Sequence, residues 1–199
     1  MHRFRPTRPN TTPSQVRRTT RCRQISRASG VRYPVLVPTP RGLERAIAAG
    51  ADEIAVVIGA TDEFNRANLN RTVEEALADA AQVIGVAKER GMRVRGYVSV
   101  AFGCPYAGDV DPSTTAIVAA RLLELGVAEL SLGDTIGAAT PGDVNRVLDA
   151  VLARADVSLV GLHAHDTRGQ ALANVYSALE RGVTIVDSSA GGLGGCPFA

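Results

Sequence analysis

From Gly30 onward the chain alternates between short β-rich runs and stretches with helical periodicity. The β-rich runs are VRYPVLVP (31–38), EIAVVIG (53–59), VRGYVSVAF (94–102), AELSLGDTI (128–136), VSLVGLHAHD (157–166) and VTIVDSSAG (183–191). Helical patterns fall between them near 41–49, 68–90, 113–125, 141–154 and 169–181. Pro112-Ser113 and Thr140-Pro141-Gly142-Asp143 read as helix starts, and the glycines closing ERG, LELG and LERG read as helix stops. Within 69–88, Leu69, Val73, Ala76, Leu77, Ala80, Ala81, Ile84 and Ala87 form an apolar stripe at helical spacing, which is core packing. Strict β/α alternation implies a parallel sheet joined by right-handed crossovers.

Two architectures satisfy that pattern, an open doubly wound sheet and a closed barrel. The polar residues favour the barrel. Ser99, Asp134, His163, His165 and the run Asp187-Ser188-Ser189 fall at the C-terminal ends of different strands. In a (β/α)8 barrel those ends surround one mouth, where catalytic groups gather. Six strands fall short of eight, so the expected fold is α/β, a partial TIM barrel of about six parallel strands with five helices.

The chain has three histidines, and two of them, His163 and His165, stand one residue apart at the end of an apolar run. On a strand, positions i and i+2 share a face. The two imidazoles therefore project side by side where the strand meets its loop. They are either a hydrogen-bonded pair or, as same-face geometry at a strand end favours, half of a divalent-metal site completed by oxygen ligands. Asp166 alternates to the opposite face, which suits support of a ligand or a helix N-terminus. Asp134 lies between Gly133 and Gly137; it either caps a turn or, with Ser131, meets a substrate or orients a ligand. Cys196 stands between glycine and proline in a small-residue loop, which suits a lid bearing a proton donor or nucleophile. That loop is not a GxGxxG dinucleotide fingerprint. Cys104, also followed by proline after a strand, reads as structural.

At 199 residues and 45% apolar, the chain can build one domain with a substantial core. No apolar run reaches the roughly eighteen residues of a membrane span. The three cysteines are too far apart for a zinc pattern or a disulfide framework, which makes a reducing, cytoplasmic setting the default. Charge is unevenly spread. Residues 1–30 carry eight arginines and no acid, while residues 31–199 carry 14 basic and 20 acidic residues, a net of −6. The globular part is mildly acidic, and nothing in it calls for nucleic acid. The arginine-rich start admits three readings: a transit peptide, which would make the protein mitochondrial, a basic arm for anionic partners, or non-native coding sequence. Under each, residues 1–30 are expected to be disordered and 31–199 to form the domain.

Five stretches together resemble 3-hydroxy-3-methylglutaryl-CoA lyases, within the wider group of metal-dependent TIM-barrel lyases and acyl-CoA synthases. They are PVLVPTPRGLERAIAAGADEIAVV, VRGYVSVAFGCPYAG, ELSLGDTIGAATPGDV, HAHDTRGQALANVYSALERGV and DSSAGGLGGCPFA. The histidine segment is shared with related synthases; the glycine loop ending in Cys196-Pro197 is specific to the lyase branch. The resemblance implies cleavage of an acyl-CoA to acetyl-CoA and acetoacetate with a divalent ion, Mg²⁺ or Mn²⁺. It implies His163 and His165 as metal ligands, with His163 also near the proton transfers. It implies Asp134 supporting the hydroxyl-side acid–base chemistry, Ser131 beside the substrate, and Cys196 as the acid at the enolate carbon. The implied partner is the acyl-CoA, without nucleic acid or membrane, and a homodimer is open for the complete protein.

The resemblance also implies departures. Family members begin with two further strand–helix units, the first strand ending in an Arg-Asp pair that supplies a metal ligand, and they continue past the cysteine loop to an Asn ligand. The six strands here then correspond to the third through eighth of a barrel. The expectation is that the isolated chain binds metal weakly and shows no measurable lyase activity. The rival readings are a related Claisen-type synthase or carboxyltransferase and a non-catalytic truncated paralogue.

Overall fold

The structure, a computed structural model, describes residues 24–192. Its elements run β1 (Val35–Leu36), α1 (Pro40–Ala48), β2 (Glu53–Gly59), α2 (Asp62–Leu69), α3 (Val73–Glu89), β3 (Arg93–Ser99), α4 (Pro112–Leu125), β4 (Glu129–Asp134), α5 (Pro141–Leu152), β5 (Val160–Ala164), α6 (Ala171–Glu180) and β6 (Ile185–Val186). All strand pairs are parallel, and spatial order follows chain order from β1 to β6. Among the described residues β6 does not pair with β1. The sheet is thus a barrel segment with two open edges.

Local chemistry sets the helix bounds. Thr39 caps α1 by accepting from the Gly42 N–H at 3.2 Å, with Pro40 in the first helical position. Thr140 and Asp143 form a reciprocal capping box at the start of α5, again followed directly by proline. Gly126 ends α4 in the left-handed region at φ 93°, which only glycine adopts without cost. At α6 the capping residue Gln170 contributes no side-chain bond; Asp166 serves instead, accepting from the Ala171 N–H at 2.9 Å.

The apolar core lies between the sheet and its helices. Ile54, Val56 and Ile58 of β2, Val94 and Val98 of β3, Leu130 and Leu132 of β4, and Val160 and Leu162 of β5 meet Leu77, Ile84, Leu122, Val144 and Leu148 from the helices, all essentially buried. Each such side chain contributes about 1.5–3 kcal/mol relative to an exposed one. The opposite face of the sheet, which lines the interior of a barrel, carries the polar residues.

Two features differ from the sequence expectation. The helix expected over 68–90 is two helices, which makes six in place of five among the described residues. Asn70 turns into the left-handed region at φ 56° and stops α2, and the Thr72–Glu75 capping box then starts α3. Leu69 therefore belongs to α2 and packs beside the stripe of α3 from outside it. The strands are also shorter than the β-rich runs: the VSL of 157–159 forms a 3-10 turn, and β1 and β6 keep two residues each. Among the described residues no helix is long and apolar enough to cross a membrane.

Candidate active site

Strand β3 alternates buried Val94, Gly96 and Val98 with partly exposed Arg93, Arg95, Tyr97 and Ser99. Register then builds the inner face. Arg95 lies beside Glu129 and Tyr97 beside Ser131, while Ser131 lies beside Gly161 and Gly133 beside His163. One face thus gathers arginine, tyrosine, glutamate, serine and histidine from three strands.

Asp187, immediately after β6, completes the group. Its Oδ2 accepts from Ser131 Oγ at 3.2 Å and lies 3.0 Å from His163 Nδ1. Burial pushes the Asp187 carboxyl up, but His163 and Arg95 together outweigh burial and hold it below the usual carboxylate range. An ionised carboxylate only accepts, so the proton of a neutral His163 sits on Nδ1 and the lone pair on Nε2. His163 Nε2 is 3.2 Å from His165 Nε2. That spacing is a hydrogen bond between the rings; two ligands at right angles, each about 2.1 Å from one ion, also stand about 3 Å apart, so the same pair has room for a shared cation. Burial, then the neighbouring His163, lower the His165 pKa, with Asp134 opposing, which favours the neutral ring with a free lone pair. Among the described residues no cluster of three or more His, Cys, Asp or Glu is arranged to hold a metal.

A line of alternating charge supports the pair from below. Arg95 bridges Glu129 Oε1 and Asp187 Oδ1, each at 2.8 Å, and lies 4.8 Å from the centre of the Tyr97 ring. Arg93 joins Glu53 at 2.6 Å to Glu129 at 3.0 Å. Tyr97 meets His163 edge to face with ring centres 6.0 Å apart. Burial, followed by the nearby Asp187 charge, pushes the Tyr97 hydroxyl up to about 12, so it remains a neutral phenol.

Of the residues singled out from sequence, His163, His165 and Ser131 come together, Ser131 through Asp187. Asp134 shares the helix-facing alternation of Leu130 and Leu132 and is 2% exposed. Its carboxylate accepts from the Ala138 and Ala139 N–H groups at 3.1 and 3.0 Å and so braces the turn leading to α5. Burial raises its pKa, with those backbone bonds and the nearby His165 opposing. Cys196 lies outside the described residues. Cys104 is buried, its Sγ 3.1 Å from Thr61 Oγ1. Next to Ser99 the backbone is strained: Val100 has φ 52°, and its N–H donates to Thr135 Oγ1 at 2.8 Å.

Asp187 stands among the strand-end residues expected at the mouth, but its partners Arg95, Tyr97 and Glu129 were not expected there. A signal existed: RVRGY puts two arginines and a tyrosine at strand spacing on one face, where an ordinary buried strand would be apolar.

Fold and site together define a class, a (β/α)-barrel segment with paired imidazoles at its mouth. A family model described as HMGL-like matches residues 11–196, and the chain belongs to that family. It is 51% identical over 175 residues to the cytoplasmic 3-hydroxy-3-methylglutaryl-CoA lyase of Danio rerio, covering 88% of this chain and 52% of that one. It is 46% identical over 175 residues to the mitochondrial hydroxymethylglutaryl-CoA lyase of Bos taurus, covering 88% and 54%. The solved HMG-CoA lyase of Brucella melitensis superposes with a TM-score of 0.89 at 50% identity, over 92% of this chain and 65% of that one. The chain thus spans about half the length of the curated relatives it matches.

Proposed function

We propose that this chain carries the histidine half of a divalent-metal-dependent carbon–carbon lyase that cleaves 3-hydroxy-3-methylglutaryl-CoA to acetyl-CoA and acetoacetate. The observation that carries the reading is the convergence of His163 Nε2 and His165 Nε2, 3.2 Å apart, with His163 Nδ1 held by Asp187. The overall identity to lyases, 51% over 175 residues, supports it. Mg²⁺ or Mn²⁺, held by the two Nε2 atoms, would polarise the substrate's hydroxyl and lower its pKa. His163 is assigned a place beside the proton transfer; with Nδ1 given to Asp187 and Nε2 to the cation it has no lone pair for the hydroxyl proton, which passes to water. Loss of that proton forms the ketone of acetoacetate as the C2–C3 bond breaks, and the bonding pair becomes the enolate of acetyl-CoA. Asp134 supports this proton chemistry through its charge beside His165, and Ser131 lines the same face. Cys196 is assigned the donation of a proton to the enolate carbon. A reducing, cytoplasmic setting is consistent with the unpaired Cys104.

A transplant tests the reading. Residues 24–199 replace the matching segment of the Brucella melitensis lyase, and acetyl-CoA release from 3-hydroxy-3-methylglutaryl-CoA is followed with Mg²⁺ or Mn²⁺. The chimera is expected to be active, and His163→Ala within it inactive. A folded chimera without activity, or one indifferent to His163→Ala, overturns the proposal.

A further inference from the structure

We propose that Arg95 is a positioning residue that fixes the tautomer and aim of His163 by holding Asp187; the proposal rests on the reading of His163 given above. The two carboxylate oxygens of Asp187 divide their duties. Oδ1 takes Arg95 at 2.8 Å, leaving Oδ2 for His163 Nδ1 and Ser131 Oγ. The Tyr97 hydroxyl also lies against this carboxylate, but Arg95 is the cation on Oδ1, and without it the carboxylate loses the charge that sets its two oxygens apart.

Backbone alone does not supply that restraint. Asp187 follows a strand of two residues at a sheet edge, secured there by its own N–H donating to the Leu162 carbonyl at 3.0 Å. Arg95 reaches it across the inner face from β3, in the middle of the sheet. The arginine is itself enclosed: its side chain is 11% exposed, Nε and Nη2 pair by charge with Glu129 and Asp187 without hydrogen-bond alignment, and the Tyr97 ring lies 4.8 Å from the guanidinium carbon. Glu129 is in turn held by Arg93, and Arg93 by Glu53. Order therefore passes from the middle of the sheet to its edge through alternating charges. Buried ion pairs contribute little net stability compared with apolar packing, so a run of them leading to one imidazole has its use in orientation. A guanidinium spreads its charge over several nitrogens and so stands between two carboxylates at once, which a single ammonium does less well.

The test is ¹⁵N NMR of the histidine rings in the purified chain, with Mn²⁺ titration alongside. In the native chain His163 is expected as a single Nδ1-protonated tautomer. Arg95→Lys keeps the buried charge but has one prong; it is expected to give a tautomer mixture and about 10- to 100-fold weaker Mn²⁺ binding. Arg95→Met combined with Glu129→Gln leaves net charge unchanged and is expected to lose the preference entirely. An unmoved His163 tautomer in the folded variants overturns the positioning role, even if Mn²⁺ binds. A tautomer that responds to Arg95 in a chain that binds no Mn²⁺ supports the positioning role and counts against the metal reading.

Discussion

Gly161 of β5 lies directly against Ile185 of β6: a β-carbon at 161 would come within 2.8 Å of Ile185 Cγ2 and 3.1 Å of its carbonyl oxygen. The two residues are register partners, and the strand they dock delivers Asp187 to His163. Gly161→Ala is therefore expected to push β6 outward, cost about 1–3 kcal/mol, and weaken Mn²⁺ binding although no ligand has changed. A urea transition and a Mn²⁺ titration on the same sample check this. An unaltered pair of midpoints would show that β6 yields freely.

Asn65 is fully buried and clasps the end of β2. Its side-chain oxygen accepts from the Gly59 N–H, and its Nδ2 donates to the Gly59 and Thr61 carbonyls, at 2.8, 2.8 and 3.0 Å. Asn65→Ala strips the amide from the Gly59 N–H and carbonyl, while the Thr61 carbonyl keeps the N–H of residue 65 at 3.1 Å; the change is expected to cost about 3 kcal/mol, since each buried unpaired group costs about 1–3 kcal/mol. Chemical denaturation measures it; a loss under about 1 kcal/mol would mean that water takes the place of the amide.

Thr135 secures the strained turn at Val100 by accepting its buried N–H. Thr135→Val keeps the shape and removes the acceptor, with an expected loss of about 1–3 kcal/mol. Thr135→Ser keeps the hydroxyl and is expected to lose less. No loss for Thr135→Val, read from thermal unfolding, would show that the Val100 N–H does not depend on this hydroxyl.

Asp143 gives a stability term whose sign follows from its surroundings. Burial pushes its carboxyl up, but the Thr140 hydroxyl and N–H and the nearby Arg146 outweigh burial and hold its pKa below the ordinary carboxylate value. A carboxyl depressed in the folded state adds stability above its unfolded pKa and loses it as pH falls through the folded pKa. Asp143→Asn is expected to cost about 1 kcal/mol near neutrality, a typical capping contribution, and the gap should close under acid. Urea midpoints from neutral pH downward check this; a constant gap refutes it.

The sequence made the parallel sheet and the histidine pair legible because each rests on a local rule. Alternating element types force crossovers, and the i, i+2 spacing places His163 and His165 on one face. The break between α2 and α3 was less visible. It depends on Asn70 adopting a left-handed conformation and on Thr72 capping, both within a stretch whose apolar residues run on across the gap. Asp187 and Arg95 were harder still. Their partnership joins β6 to β3 and is a consequence of sheet order and register, which no window of neighbouring residues contains. Asp134 is the converse: its strand-end position and its turn-capping alternative both rest on local residues, and its carboxylate accepts from the Ala138 and Ala139 N–H groups while its charge still reaches His165.

Strand order has a consequence for biosynthesis. Because each strand from β2 to β6 pairs with the one made just before it, every later β/α unit among the described residues finds its docking surface already formed as it leaves the ribosome. Among the described residues, the strand that docks last brings Asp187. His163 therefore emerges without its carboxylate, and its ring acquires a fixed proton only at the end of translation of the sheet. The cation-binding geometry matures after the scaffold, so a nascent chain can complete its core before it has a site able to capture metal.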